Sequence, residues 1–159
     1  ETGSGGGGTT TGSGSPAAHV CELLLGTGSQ AALSGTAAMV FDGQTLNVIC
    51  RPTDSATAFA DIRLRTYPGP GQTVTVTSDG VATGVIDIRS QDGINYSTLN
   101  VGAAEPECTV TVTQGPDQPA NGEPISLTFA CSRLYGYPDG STDIRETQVT
   151  DGLARGEAQ

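Results

Sequence analysis

A two-residue rhythm constrains this chain more than any other feature. In Thr73-Val74-Thr75-Val76-Thr77, and again in Cys108-Thr109-Val110-Thr111-Val112-Thr113, apolar or thiol side chains alternate with hydroxyls without a break. Alternation with period two puts valine on one face of an extended strand and threonine on the other, which suits a half-buried sheet. Ile62/Leu64, Ile86/Ile88, Leu99/Val101 and Leu127/Phe129 repeat the pattern. Asp42-Gly43, Asp79-Gly80, Asp92-Gly93, Asp139-Gly140 and Asp151-Gly152 punctuate it with dipeptides that tolerate positive φ. Strands are therefore expected over residues 19–25, 37–41, 45–50, 57–66, 72–78, 83–89, 94–101, 107–114, 123–133 and 143–149. No stretch offers a capped helical face; residues 31–38 come nearest and are short. The pattern predicts an all-β fold, an antiparallel β-sandwich of Ig-like or related Greek-key type.

Its 159 residues suit one domain. Apolar residues make up 35% before the 23 glycines are counted, and with them the share falls in the ordinary globular range. A single β-sandwich domain is expected over residues 17–159. Residues 1–16 read differently. Glu1-Thr2-Gly3 has the form of a secretion-vector scar, and residues 4–16 are a Gly/Ser/Thr run closed by Pro16. Such a run is a flexible tether with a reach of roughly 20 Å. An engineered linker is one reading of it; the threonine run and Pro16 favour a native segment. No signal peptide opens the chain, so one is expected to have been removed or left out.

Four cysteines stand at 21, 50, 108 and 131, an even number with wide spacing and no C-x-x-C. That spacing fits two structural disulfides rather than zinc, and with them an oxidising compartment. Strand parity selects the pairing. If Gln114 faces Ile125 in a hairpin, Cys108 falls opposite Cys131 and the apolar faces coincide. Cys21, Leu23 and Leu25 share the same parity relation with Leu46, Val48 and Cys50. Cys21–Cys50 and Cys108–Cys131 are expected, each contributing roughly 3 kcal/mol in the chain-entropy account.

Charge excludes some functions. All 7 basic residues are arginine, against 17 acidic ones, a net charge of −10. A nucleic-acid partner needs a basic patch and is not expected. Catalytic signatures are missing as well. The single histidine, His19, has no G-x-S-x-G elbow to serve and cannot make H-E-x-x-H. A P-loop needs a lysine, and the glycines of residues 5–14 follow no strand. Paired carboxylates such as Asp87 and Asp92 are the residue type that glycoside hydrolysis uses, but no aromatic subsites accompany them. No enzyme and no cofactor are expected.

The segment after Cys131 is the strongest candidate for recognition. Leu134-Tyr135-Gly136-Tyr137-Pro138-Asp139 places two tyrosines among residues that break regular structure. Displayed there, Tyr135 and Tyr137 would give rigid amphipathic contact, with Asp139 and Asp143 as an acidic rim for a basic partner. The competing reading is that one tyrosine folds back to cover the end of the domain. Asp139-Gly140-Ser141-Thr142-Asp143 also carries oxygen ligands of the kind calcium takes, though a plain turn explains it better. Tyr67, between Thr66 and Pro68, is a weaker recognition candidate. Asn95-Tyr96-Ser97 is a glycosylation sequon that matters only in a eukaryotic secretion host.

Cys108-Thr109-Val110-Thr111-Val112-Thr113-Gln114, the Gly122-Glu123-Pro124-Ile125-Ser126-Leu127-Thr128-Phe129-Ala130 strand and the tail around Thr150-Asp151-Gly152 resemble secreted lipoproteins of myxobacteria and related Gram-negative predators. There, a C-T-V-T-V strand precedes a Gly-Thr-Phe strand; here Ser126-Leu127-Thr128-Phe129 occupies that place. Arginine without lysine accords with a GC-rich genome. The resemblance implies an envelope lipoprotein with a β-sandwich, its lipidated cysteine upstream of the tether, and says nothing of ligand. The expected function is a tethered extracellular or cell-surface module that binds a partner protein or surface through its end loops. The alternatives are a structural subunit or stalk of an envelope assembly and, third, a secreted enzyme.

Overall fold

The computed structural model describes residues 19–26, 30–53 and 59–159, and every regular element among them is a strand. Ten strands follow in order: β1 (Val20–Leu25), β2 (Ala31–Phe41), β3 (Leu46–Pro52), β4 (Ala60–Leu64), β5 (Thr73–Val76), β6 (Gly84–Arg89), β7 (Ile94–Ser97), β8 (Glu107–Gln114), β9 (Pro124–Pro138) and β10 (Arg145–Glu157). The expected tether, residues 4–16, lies outside the described residues.

Hydrogen bonding runs β10-β1-β2-β3-β4-β6-β7-β9 and returns from β9 to β10, so eight antiparallel strands close into a barrel. β8 and β5 continue from the first half of β9 as a two-strand flap. The all-β class and the antiparallel pairing are as the alternation predicts. The two separate sheets of a sandwich do not describe the ladder, which is one continuous sheet. The cause is β9, 15 residues long. Its first half pairs with β8 and its last four residues with β7, while β10 follows it along the opposite side. One strand shared by two would-be sheets joins them and closes the eight-strand ring, leaving β5, which pairs only with β8, as a free edge.

The inward side chains fill the barrel, with Leu23, Met39, Val48, Ile62, Ile86 and Leu127 almost wholly buried. Each contributes on the order of 1.5–3 kcal/mol by leaving water. β9 changes phase part-way. Ile125, Leu127, Phe129 and Cys131 point in, and then Leu134 is buried in their stead. One extra residue, in the Ser132–Arg133 region, makes the switch. Against β8, Glu107 pairs with Arg133 but Cys108 with Cys131; against β10, Thr147 pairs with Leu134 but Val149 with Cys131. This is a β-bulge, and it is why the alternation fails at Arg133, where the sequence predicts the strand to stop. β10 switches in the same way between Val149 and Gly152, with Asp151 at φ 53. Beyond that bulge its buried positions are Gly152, Ala154 and Gly156, too small to register as a hydrophobic alternation.

Small residues on these strands make room for rings. A Cβ on Gly136 would lie 2.5 Å from the Asn95 carbonyl oxygen and 2.6 Å from Tyr96 Cδ1, and one on Gly152 would lie 2.6 Å from Phe129 Cδ2. Phe41 and Tyr67 pack edge to face with centroids 5.4 Å apart, and Tyr67 Oη donates to the Pro116 carbonyl at 2.9 Å. Tyr67 is thus a buried plug, not a displayed contact.

Both disulfides form as the parity argument predicts. Cys108 and Cys131 are directly opposed, and the predicted register holds from Cys108 to Val112 before slipping by one at Gln114, which faces Ser126. The second bridge has a different geometry from a hairpin pair. Cys21 faces Gly35 and Cys50 faces Ala37, so β2 runs between the bridged strands. The Cα atoms are nonetheless 5.7 Å apart, against about 9.5 Å for two flat strand spacings. The sheet coils sharply there, and Gly35 sits at the bend, where a Cβ would come 2.8 Å from Phe59 Cε1.

Candidate functional site

The outward residues of β4, β6, β7 and β9 build a groove on the barrel wall. Register places them in rows. Asp61 of β4 faces Asp87 of β6, and Asp87 faces Ser97 of β7. Two residues along the strands, Arg89 faces Asn95 and Asn95 faces Tyr137 of β9. With the turn after β9 and Asn100, these residues line a space of about 660 Å³.

One rim is tied. The Arg89 guanidinium grips Asp139 with both terminal nitrogens, Nη2 to Oδ2 at 2.6 Å and Nη1 to Oδ1 at 3.2 Å. Nη1 also donates to Asn95 Oδ1 at 2.8 Å, and Asn95 Nδ2 donates to Asp139 Oδ1 at 2.9 Å. The hydrogen bonds from Arg89 hold the Asp139 carboxyl below the usual carboxylate range. A bidentate arginine pair with its amide neighbour fixes the start of the turn after β9.

The floor is not satisfied in this way. Asp61 Oδ1 is buried without a hydrogen-bond partner. Burial raises the Asp61 pKa, the charge of Asp87 raises it further, and Arg51 and Arg63 pull it down. Like charges directly opposite in a ladder are unfavourable on their own. The Asp61–Asp87 pair is therefore a place on this wall where a cation would offset repulsion that the Arg51 and Arg63 charges only partly relieve.

The predicted site residues divide. Tyr137 and Asp139 line the groove. Asp143 is exposed in the turn that follows, its N–H bonded to Ser141 Oγ at 3.0 Å, and does not line it. Tyr135 is 3% exposed, which corrects the expectation of a displayed tyrosine loop. β9 carries through Tyr135 and Tyr137, and the loop begins only after Pro138. The Ser132–Arg133 bulge turns Tyr135 to the outer side, where residues 98–106 cover it. The Ala104 N–H donates to Tyr135 Oη at 3.2 Å, and Asn100 Nδ2 donates to the Tyr135 carbonyl at 3.1 Å. Folding back to cover the structure, the competing reading, is what this tyrosine does.

The calcium reading of residues 139–143 gains nothing from this geometry, since both oxygens of Asp139 are held by Arg89. Among the described residues no three His, Cys, Asp or Glu side chains stand together in a metal-holding arrangement. Asp87 does pair with a carboxylate, but with Asp61 rather than Asp92, which accepts from Ser90 Oγ in the turn before β7. Sequence reasoning missed Asp61, Arg89 and Asn100. A weak signal existed in Ala60-Asp61-Ile62 and Ile86-Asp87-Ile88, a charge between buried neighbours on each of two strands. Comparisons of the chain with protein families, with curated proteins and with solved structures return no match.

Proposed function

We propose that this chain is an extracellular or cell-envelope binding module, non-enzymatic and tethered through its N-terminal segment, that recognises a partner protein or surface. The recognition site is the groove on the wall formed by β4, β6, β7 and β9, with Tyr137 and Asp139 on its rim. The observation that carries this reading is the contrast within the groove. Its rim is locked by the Arg89–Asn95–Asp139 cluster, while its floor keeps an unpartnered Asp61 oxygen beside Asp87. A rigid rim lowers the ordering cost of binding, and two directly opposed carboxylates offer a basic ligand something to gain. Two disulfides support an oxidising location. Tyr135 is buried under residues 98–106, so its replacement would change packing as well as any contact; Tyr137→Ala with Asp139→Asn is the informative variant.

The test presents labelled protein to immobilised extracellular proteins, peptides and glycans. A partner lost by Tyr137→Ala/Asp139→Asn at unchanged melting temperature supports the groove. A partner bound equally well by that variant moves the site elsewhere. Self-association with no partner would favour a structural subunit, and turnover of any immobilised glycan or peptide would favour an enzyme.

A further inference from the structure

The groove has an apolar shoulder. Asn100 lines the groove between Leu99 and Val101, which are 54% and 48% exposed. Val81, 81% exposed, belongs to the turn joining β5 to β6. That turn abuts Leu99, whose Cδ2 lies 2.9 Å from where a Cβ on Gly80 would stand. Ser78 Oγ donates to Glu105 Oε2 at 2.5 Å, tying the turn to the segment that carries Leu99 and Val101. Scattered exposed apolar side chains need no explanation, but Leu99 and Val101 flank a groove-lining residue and Val81 follows the glycine that abuts Leu99, which groups the three beside the groove.

Continuity and charge indicate the occupant. Ser97 faces Asp87 across the ladder, its Oγ accepts the Leu99 N–H at 3.1 Å, and its carbonyl accepts the Asn100 N–H at 3.1 Å. The acidic floor and the apolar shoulder are therefore adjoining parts of one surface. The guanidinium at the rim, Arg89, is engaged by Asp139 and Asn95. With a net charge of −10, a second copy of this chain brings the wrong sign.

We propose that this surface takes a polypeptide segment in which an arginine or lysine lies beside apolar side chains. The cation sits between Asp61 and Asp87, and the apolar neighbours cover Leu99, Val101 and Val81. The proposal rests on the groove being the recognition site and names the chemistry of the partner. A guanidinium suits it well, because its planar fork can face the Asp61 and Asp87 carboxylates together and relieve the repulsion between them.

The test pans a display library of random linear peptides on the folded, disulfide-bonded protein. Expected are enriched peptides carrying arginine or lysine next to an apolar residue. Their synthetic forms should bind at least tenfold more weakly to Asp61→Asn/Asp87→Asn and to Leu99→Ser/Val101→Ser, and should weaken as salt is raised. Melting curves confirm that each variant is folded; Leu99 and Val101 are exposed, so their replacement leaves the core intact. No enrichment, or enriched peptides without a basic residue, overturns the proposal. If Tyr137→Ala still abolishes binding of such non-basic peptides, the groove survives and only the partner chemistry falls. Basic-apolar peptides that bind Tyr137→Ala and Asp61→Asn/Asp87→Asn as they bind the parent overturn both readings. A neutral oligosaccharide that competes for the same variants' site overturns the polypeptide in favour of a sugar.

Discussion

Replacing Gly102 by alanine tests where Tyr135 lies. A Cβ on Gly102 would fall within 2.7 Å of three ring atoms of Tyr135, and all three are side-chain atoms. Overpacking of this kind costs roughly 1–3 kcal/mol, and the stiffer unfolded chain returns about 0.4–1 kcal/mol of that. Gly102→Ala should therefore destabilise by about 1.5 kcal/mol. Tyr135→Ala removes a ring that is 3% exposed, which costs roughly 3–5 kcal/mol. The double variant decides the matter. Without the ring the new methyl meets nothing there, so Gly102→Ala in the Tyr135→Ala background should be neutral or stabilising by about 0.5 kcal/mol. The cycle predicts a coupling of about 2 kcal/mol. Urea unfolding followed by far-UV circular dichroism measures it, and constant m across the four proteins keeps the comparison clean. Costs that add to within about 0.5 kcal/mol would mean that residues 98–106 do not rest on Tyr135, and the buried-tyrosine account would fall.

Asp61→Asn should raise the melting temperature at pH 7 by about 2 °C, a solvent-screened effect for a domain of this size. Because folding raises the Asp61 pKa above its ordinary 3.8, the native state binds that proton more tightly, so stability is lost as pH rises from there through the raised value; a pH series should show that loss in the parent and not in Asp61→Asn, and a variant less stable at pH 7 refutes the sign. Mapping of a non-reduced digest should join Cys21 to Cys50 and Cys108 to Cys131, and a Cys50–Cys108 fragment would refute the register. Replacing Cys108 and Cys131 together by alanine should cost about 3 kcal/mol, read from the shift in urea midpoint. Calcium should leave the melting temperature in place, since Asp139 is held by Arg89; a rise abolished by Asp143→Ala would restore the metal reading.

Most strand positions and both disulfides were legible because they depend on local alternation and on parity; the expected strand 94–101 is an exception, since β7 ends at Ser97 and Leu99 and Val101 are exposed beyond it. The Thr/Val runs of β5 and β8 carry their register on their face, and the Cys108–Cys131 pairing follows from it. Closure into a barrel was not legible. It depends on β9 and β10 continuing beyond their bulges, and at Ser132–Arg133 and Asp151 the two-residue rhythm breaks as a strand end would. Residues 31–38 read as faintly helical because four of the eight are alanine and the only large apolar side chain is Leu33, so no alternation shows, yet Leu33, Ala37 and Met39 face inward on β2. Tyr135 was misplaced for the same reason as β9. Gly136 and Pro138 read as loop formers, whereas Gly136 is the small residue under Tyr96 and Pro138 the last residue of the strand. The groove was hidden because Asp61 and Asp87 meet only through pairing between β4 and β6, with β5 between them in the chain.

The bulge in β9 also makes the length of the chain matter more than its lettering at one point. Deleting one residue there would act as a frameshift in space: the residues from Leu134 to Pro138 would exchange inside for outside. Tyr135 would be driven into the barrel, Leu134 into water, and Tyr137 would leave the groove, with no other amino acid altered. Strands elsewhere in this protein can absorb a substitution one side chain at a time. Between Cys131 and Leu134, variants of this chain should therefore differ in residue type but hold their count, while the turn after Pro138 is free to lengthen.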